Sequence, residues 1–237
     1  MAAINWASLN RDTEALSLLN NLLMRHGHKP HIRRAAAEAV GRVGSPDAVP
    51  ALLKAAGDAR PARKDYLEIV CPRELEHAII YALIQIGDRP ATLKALKPPP
   101  EGKYAAEITD VPRMQRVGLI ALDQMENGGL TAEMVAPYLN SSEPLLRETA
   151  AWISSRHPDW ATVLAPVLEQ RMADDRLSPK ESEELATQLA GFAKSPAIQS
   201  LLADVLRAEK WAKQGNARRL AWPAMSQAPV KSLPTAW

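Results

Sequence analysis

The segment His31 to Lys54, HIRRAAAEAVGRVGSPDAVPALLK, constrains the fold more than any other stretch of this chain. Ile32, Ala35, Ala36, Ala39, Val40 and Val43 recur at the spacing of a helix with one buried stripe. Gly44 is placed to end that helix, because a residue without a Cβ enters the left-handed region at little cost. Ser45-Pro46-Asp47 then reads as a start signal, with Ser45 at the cap and Pro46 at the first helical position. Ala48, Val49, Ala51, Leu52 and Leu53 give the second helix its apolar face. Helices this short are marginal alone and need neighbours of the same kind to bury both stripes.

Neighbours are supplied by internal repetition. ELEHAIIYALIQIG aligns with HIRRAAAEAVGRVG so that Leu75, Ala78, Ala82, Leu83, Ile86 and Gly87 fall on Ile32, Ala35, Ala39, Val40, Val43 and Gly44. A third copy, PRMQRVGLIALDQM, places Met114, Val117, Ala121, Leu122 and Met125 on the stripe and is followed by LTAEMVAPYL. A fourth, EPLLRETAAWISSRHPD, uses Leu146, Thr149 and Ile153, with Trp152 expected in the core, and is followed by WATVLAPVLEQRM. The fifth pairs PKESEELATQLAGFAKS with PAIQSLLADVLRAEKWA. Insertions between copies (DARPARKDYLEIVCP and KPPPEGKYAAEITDVP) are placed to emerge at turns, outside the shared core. Upstream, Thr13 to Met24 reads as a lone opening helix capped by Asp12, the second helix of a unit whose first is missing or degenerate. The expected organisation is a solenoid over 1–215 and a Pro-punctuated, non-periodic tail over 216–237 that leads toward a following segment.

Composition supports helix packing. Aromatics are 5% with a single Phe, so the core must be built from Ala, Leu, Val and Ile. A net charge of +2 lacks the strong basic excess of a dedicated nucleic-acid domain. The single cysteine, Cys71, excludes an intrachain disulfide and a multi-cysteine metal site. No Cys-x-x-Cys-His occurs, no apolar run approaches the ~20 residues of a membrane span, and MAAINWASLNRDTEAL lacks the basic start and apolar stretch of a signal peptide. The expectation for the chain as it stands is a cytoplasmic location.

The motif formed by Ile32, Arg33, Arg34, Ala36, Ala39, Val40, Gly41, Val43, Gly44, Pro46, Ala48 and Val49 resembles the HEAT repeat in its short bacterial form, known from phycobilin lyases. That resemblance implies an all-α, right-handed α-solenoid of about five helix pairs that binds partners on a concave face. The segments RELEHAIIYALIQIGD, RMQRVGLIALDQMENGGLT and LRETAAWISSRHPDWA are similar to the HEAT segment of planctomycete and verrucomicrobial proteins described as membrane-bound dehydrogenase-like or haem-binding. In that family the segment lies between a dehydrogenase-like β-propeller and a cytochrome c domain, in an exported protein. This chain departs from it in having no propeller strands, no haem motif and no export signal. What the resemblance implies is therefore a spacer or docking role within a longer extracytoplasmic protein.

Several residue clusters could carry chemistry, and each also fits an ordinary structural role. His26, His28 and His31 in HGHKPH lack the spacing of a zinc site and read as a solvated turn. Glu76-His77 invites comparison with the HEAT-like deoxyhypusine hydroxylases, which hold di-iron through paired His-Glu dipeptides; here the order is reversed and occurs once, so both residues read as the polar start of a helix. Arg73 and His77 share a helical face with Glu76 close by, and Tyr81 sits where the first copy has Glu38. Cys71 beside Pro72 reads as a buried structural thiol, with a lyase or redox role as the alternative. Arg60, Arg63, Lys64 and Arg73, with Arg33, Arg34 and Lys54, suggest a basic ridge of the kind HEAT-like DNA glycosylases use. Interleaved Asp58, Asp65, Glu68 and Glu74 favour a solvated, compensated face instead. Trp211 and Trp222, near the tail, are expected to be exposed and to contact a neighbouring domain.

These readings converge on a non-catalytic scaffold, protein-interaction or spacer module with no cofactor and no metal. Its expected interaction surface is Arg60, Arg63, Lys64, Arg73, Glu76, His77, Tyr81, Trp211 and Trp222. The alternatives are a nucleic-acid-binding HEAT-like protein and a lyase or redox enzyme using Cys71.

Overall fold

The periodic segments fold as α-helices, as their apolar stripes require. The structure, a computed structural model, describes residues 1–25, 29–58, 73–97, 110–211 and 215–237. Arg60, Arg63, Lys64, Cys71, His26 and His28 lie outside the described residues, as does most of both insertions. Thirteen α-helices and no strand occur among the described residues, and the chain is an all-α solenoid in two compact units, Met1–Leu130 and Thr131–Trp237.

In the first unit, α1 (Ala2–Asn10), α3 (Pro30–Val43), α5 (Arg73–Ile86) and α7 (Val111–Gln124) form one layer, each packed on the next. Helices α2 (Leu16–Met24), α4 (Val49–Ala56) and the short α6 (Arg89–Thr92) form the second layer, α2 packing on α4 and α4 on α6. The layers meet through α2 on α3, α4 on α5 and α6 on α7. Leu19, Leu23, Leu52, Leu75, Ile79 and Leu83 are fully buried between them.

Sequence punctuation maps onto this structure closely. Pro30 stands in the first turn of α3, and Gly44 and Gly87 end α3 and α5 at φ of 77° and 69°, the left-handed region. Pro46 opens a 3-10 turn ahead of α4, although the Ser45 side chain makes no capping hydrogen bond. The α3–α5 contact is close at Gly41, where a Cβ would stand 2.7 Å from the Ala82 Cα. Small residues at this crossing let the two backbones approach, which larger side chains would prevent.

The second unit repeats the arrangement. Helices α9 (Pro144–Ser155), α11 (Pro179–Gly191) and α13 (Gly215–Gln227) form one layer, and α8 (Ala132–Leu139), α10 (Ala161–Met172) and α12 (Pro196–Arg207) the other. α8 packs on α9 and α12 on α13, joining the layers.

Four expectations are corrected. The opening helix α2 is not alone: its first helix is degenerate and not missing, α1 preceding it, burying Ile4, Ala7 and Ser8 and packing on α3. Its stripe is too short, and one member too polar, to stand out as periodic. Asp12 does not cap α2, which starts at Leu16; its carboxylate instead accepts from the Glu14 N–H at 3.0 Å. Residues 216–227 are not a non-periodic tail but belong to α13, with Ala217, Leu220, Ala221 and Ala224 buried against α11 and α12 at helical spacing. Pro223, inside this helix, hides the pattern in the sequence. Finally, Trp152 is not core; it is 44% exposed on α9.

The last residues are also anchored. Arg207 donates to the Ala236 carbonyl at 2.7 Å, and the Trp237 indole N–H donates to the Gln199 carbonyl at 3.2 Å, tying the segment after α13 to α12.

Candidate functional site: an arginine-lined cleft and exposed aromatics

Two connections of the second unit, Asn140–Glu143 between α8 and α9 and Ala173–Ser178 between α10 and α11, enclose a cleft of about 520 Å³. Local sequence sets each rim. Pro144 starts α9 in its first turn, which brings Arg147 back over the preceding loop. Ser178-Pro179 starts α11 with a capping box: the Ser178 hydroxyl accepts from the Glu181 N–H at 3.2 Å, and the Glu181 carboxylate accepts from the Ser178 N–H at 3.0 Å.

Three arginines line the cleft, and two are committed to it structurally. Arg147 donates to the Ser141 and Ser142 carbonyls at 2.7 and 3.0 Å and to Glu181 at 2.6 Å, pinning the α8–α9 connection to the start of α11. Arg176 pairs with Asp174 at 2.9 Å within its own turn. Arg171, at the end of α10, differs. It is only 8% exposed, and no hydrogen-bond acceptor or carboxylate among the described residues lies within bonding distance of its guanidinium. Burial, then the neighbouring Arg147 charge, pushes its pKa below the usual arginine value, while Glu181, Glu184 and Asp174 act in the opposite direction. The Glu181 carboxyl is held below its ordinary value, first by the Ser178 N–H and then by the Ser178 hydroxyl, with Arg147 adding to the effect. Asn140 donates to the Gln170 amide oxygen at 2.9 Å on the same rim.

The residues singled out from the sequence are distributed differently. Glu76 is buried and accepts from Arg116 Nε at 2.8 Å, with Arg113 at 3.9 Å. It therefore joins α5 to α7 and offers no exposed surface. Arg73 and His77 are exposed at the start of α5, as expected, but the cations paired with Glu76 come from α7. Arg33, counted toward a basic ridge, is buried, its Nε donating to the Leu23 carbonyl at 2.8 Å, and Arg34 pairs with Glu38 at 3.2 Å. Asp58, read as one of the solvated acids, is likewise buried. Trp211 is also corrected: it is 3% exposed and packs beside α12 and α13.

Tyr81 and Trp222, both placed on the expected interaction surface, are exposed at 56% and 65%, and Trp6 on α1 is exposed as well. Tyr81 and Trp152 occupy the same repeat position, the sixth after the first apolar residue of the stripe (Leu75 and Leu146), where the first and third copies have Glu38 and Ile120. The Arg156 guanidinium lies 4.9 Å over the Trp152 ring, and His157 stacks on Trp160 with centroids 4.0 Å apart. The α9–α10 turn thus presents an aromatic and cationic patch that sequence reasoning missed, because Trp152 sits one residue before the buried Ile153. Among the described residues no group of three or more His, Cys, Asp or Glu is arranged to hold a metal ion, and no helix is long and apolar enough to cross a membrane.

Residues 1–68 match the family model of HEAT repeats. No curated protein matches the chain. Among solved structures, the chain is similar to human deoxyhypusine hydroxylase in complex with glycerol, at 18% identity over 92% of this chain and 74% of that one, with a TM-score of 0.34. It is also similar to the complex of CpcE and CpcF of phycocyanin lyase from Nostoc sp. PCC7120, at 19% identity over 95% of this chain and 88% of that one, with a TM-score of 0.35.

Proposed function

We propose that this chain is a non-catalytic helical-repeat scaffold that binds a protein partner through aromatic side chains exposed on α5, α9 and α13. The observation that carries this reading is the exposure of Tyr81 on α5 in the first unit and of Trp152 and Trp222 on α9 and α13 in the second. Large aromatics are scarce in this sequence and expensive to leave in water, while Trp and Tyr dominate the energetic centres of protein interfaces. Arg156 over Trp152 adds a cation held against the ring, a pairing that suits a partner surface with both apolar and acidic groups.

The finer reading is that the chain acts as a spacer or docking segment of a larger, exported dehydrogenase-like cytochrome protein. Its support is the similarity of the α5, α7 and α9 sequences to the helical segment of such proteins. The docking partner is then a neighbouring domain.

Site-specific photo-crosslinking tests the proposal. A photoreactive phenylalanine analogue at position 81, 152 or 222 is expected to trap one and the same protein, identified by mass spectrometry. The same analogue at Leu233, exposed but apart from these helices, is expected to trap it far less. Equal capture at all four positions, or none at any, would overturn the proposal.

A further inference from the structure

Among the described residues, Arg171 is the guanidinium of the arginine-lined cleft that makes no hydrogen bond or ion pair. A buried cation is costly unless an anion or several acceptors surround it, and a fold that keeps one normally supplies that partner. Here Arg147 is spent on two carbonyls and Glu181, Arg176 is spent on Asp174, and Arg147 repels Arg171. Apolar residues of similar length would fill this place without the penalty, so the charge makes physical sense as a recognition element.

We infer that this cleft is a carboxylate-binding site that takes a glutamate or aspartate side chain of an acidic segment in a protein partner, with Arg171 as its ion-pair donor. Charge balance selects the ligand. Three guanidiniums against the Asp174 and Glu181 carboxylates leave a single positive charge on the lining. One carboxylate neutralises it, whereas a phosphate dianion would overshoot and face both acids at close range. The planar guanidinium matches a carboxylate through two parallel hydrogen bonds. The cleft volume of about 520 Å³ admits an acidic side chain with the backbone that carries it. Gln170, whose amide oxygen is engaged by Asn140, supplies a further NH2 donor on the rim.

The inference rests on the protein-interaction reading for the source of the carboxylate, but its test is independent of the partner and of the aromatic residues. Fluorescence anisotropy of labelled acetyl-hexaglutamate-amide is measured with the full chain at low salt. Saturable binding is expected, and hexaglutamine is expected to bind at least tenfold more weakly, as loss of a charge-assisted, bidentate contact implies. Arg171→Met, which fills the same space without charge, is expected to weaken hexaglutamate binding about tenfold while far-UV circular dichroism stays unchanged. Equal binding of hexaglutamate and hexaglutamine, or displacement of hexaglutamate by equimolar inorganic phosphate, would overturn the inference without requiring any variant to fold. A failure here with crosslinking at Trp152 intact removes the carboxylate site alone.

Discussion

Arg116 on α7 donates from Nε to the Glu76 carboxylate on α5 at 2.8 Å, with Arg113 of the same helix 3.9 Å away. The pair ties two neighbouring helices of one layer together at a half-shielded position, where Glu76 is buried and the arginines keep partial access to water. Replacing the carboxylate by an amide leaves two cations facing each other with weaker acceptors. Glu76→Gln is expected to lower stability by about 1–3 kcal/mol, measured by urea unfolding, without loss of helical signal in the native state. An unchanged midpoint would show that the pair is only a surface contact.

Helix α13 is a structural member of the second unit. Leu220 is 2% exposed in its interface with the rest of that unit. Leu220→Ala is expected to cost about 2–5 kcal/mol through lost burial and the cavity left behind. A loss under about 0.5 kcal/mol in thermal or urea unfolding would restore the reading of this segment as a dispensable tail.

Gln188 on α11 offers a change in the other direction. It is 8% exposed, and neither of its amide atoms meets a hydrogen-bond partner among the described residues. Burying a primary amide without partners costs about 1–3 kcal/mol. Gln188→Leu is expected to raise the melting temperature by several degrees, and a fall would show that the amide is satisfied in solution.

Acid should weaken the start of α11. The folded state holds the Glu181 pKa below its unfolded value, chiefly through the Ser178 N–H and hydroxyl. Its stabilising contribution is therefore fully present above the unfolded pKa of about 4.3 and is lost as pH falls through the lower folded value. Wild type is expected to be more stable than Glu181→Gln at pH 7, with the difference closing below pH 4. A constant difference down to pH 3 would contradict this.

Much of the fold was legible in the sequence because a repeat unit states its punctuation and its stripe together. Gly44 and Gly87 marked helix ends that the structure places in the left-handed region, and Met114, Val117, Ala121 and Leu122 marked a face that is buried. Two helices were illegible for local reasons: α1 has a three-residue buried set that includes a serine, and α13 carries Pro223 inside its span. The cleft was illegible for another reason. Its lining comes from four separate stretches of sequence, and the decisive property, Arg171 being buried with no bonded partner among the described residues, belongs to the packing of α10 and not to any motif. Trp152 left its expected place because one position along a helix turns a side chain by about 100°, enough to move it from core to solvent, and Trp211 is buried because the turn that carries it packs on α12 and α13.

The most direct test of the scaffold account is the affinity of the crosslinked partner, once purified, for the wild-type chain and for chains carrying Tyr81→Ser, Trp152→Ser or Trp222→Ser, measured by isothermal titration calorimetry. The account predicts that at least one substitution weakens binding tenfold or more, about 1.4 kcal/mol, while each variant unfolds with the wild-type midpoint. Full affinity in all three variants would contradict it.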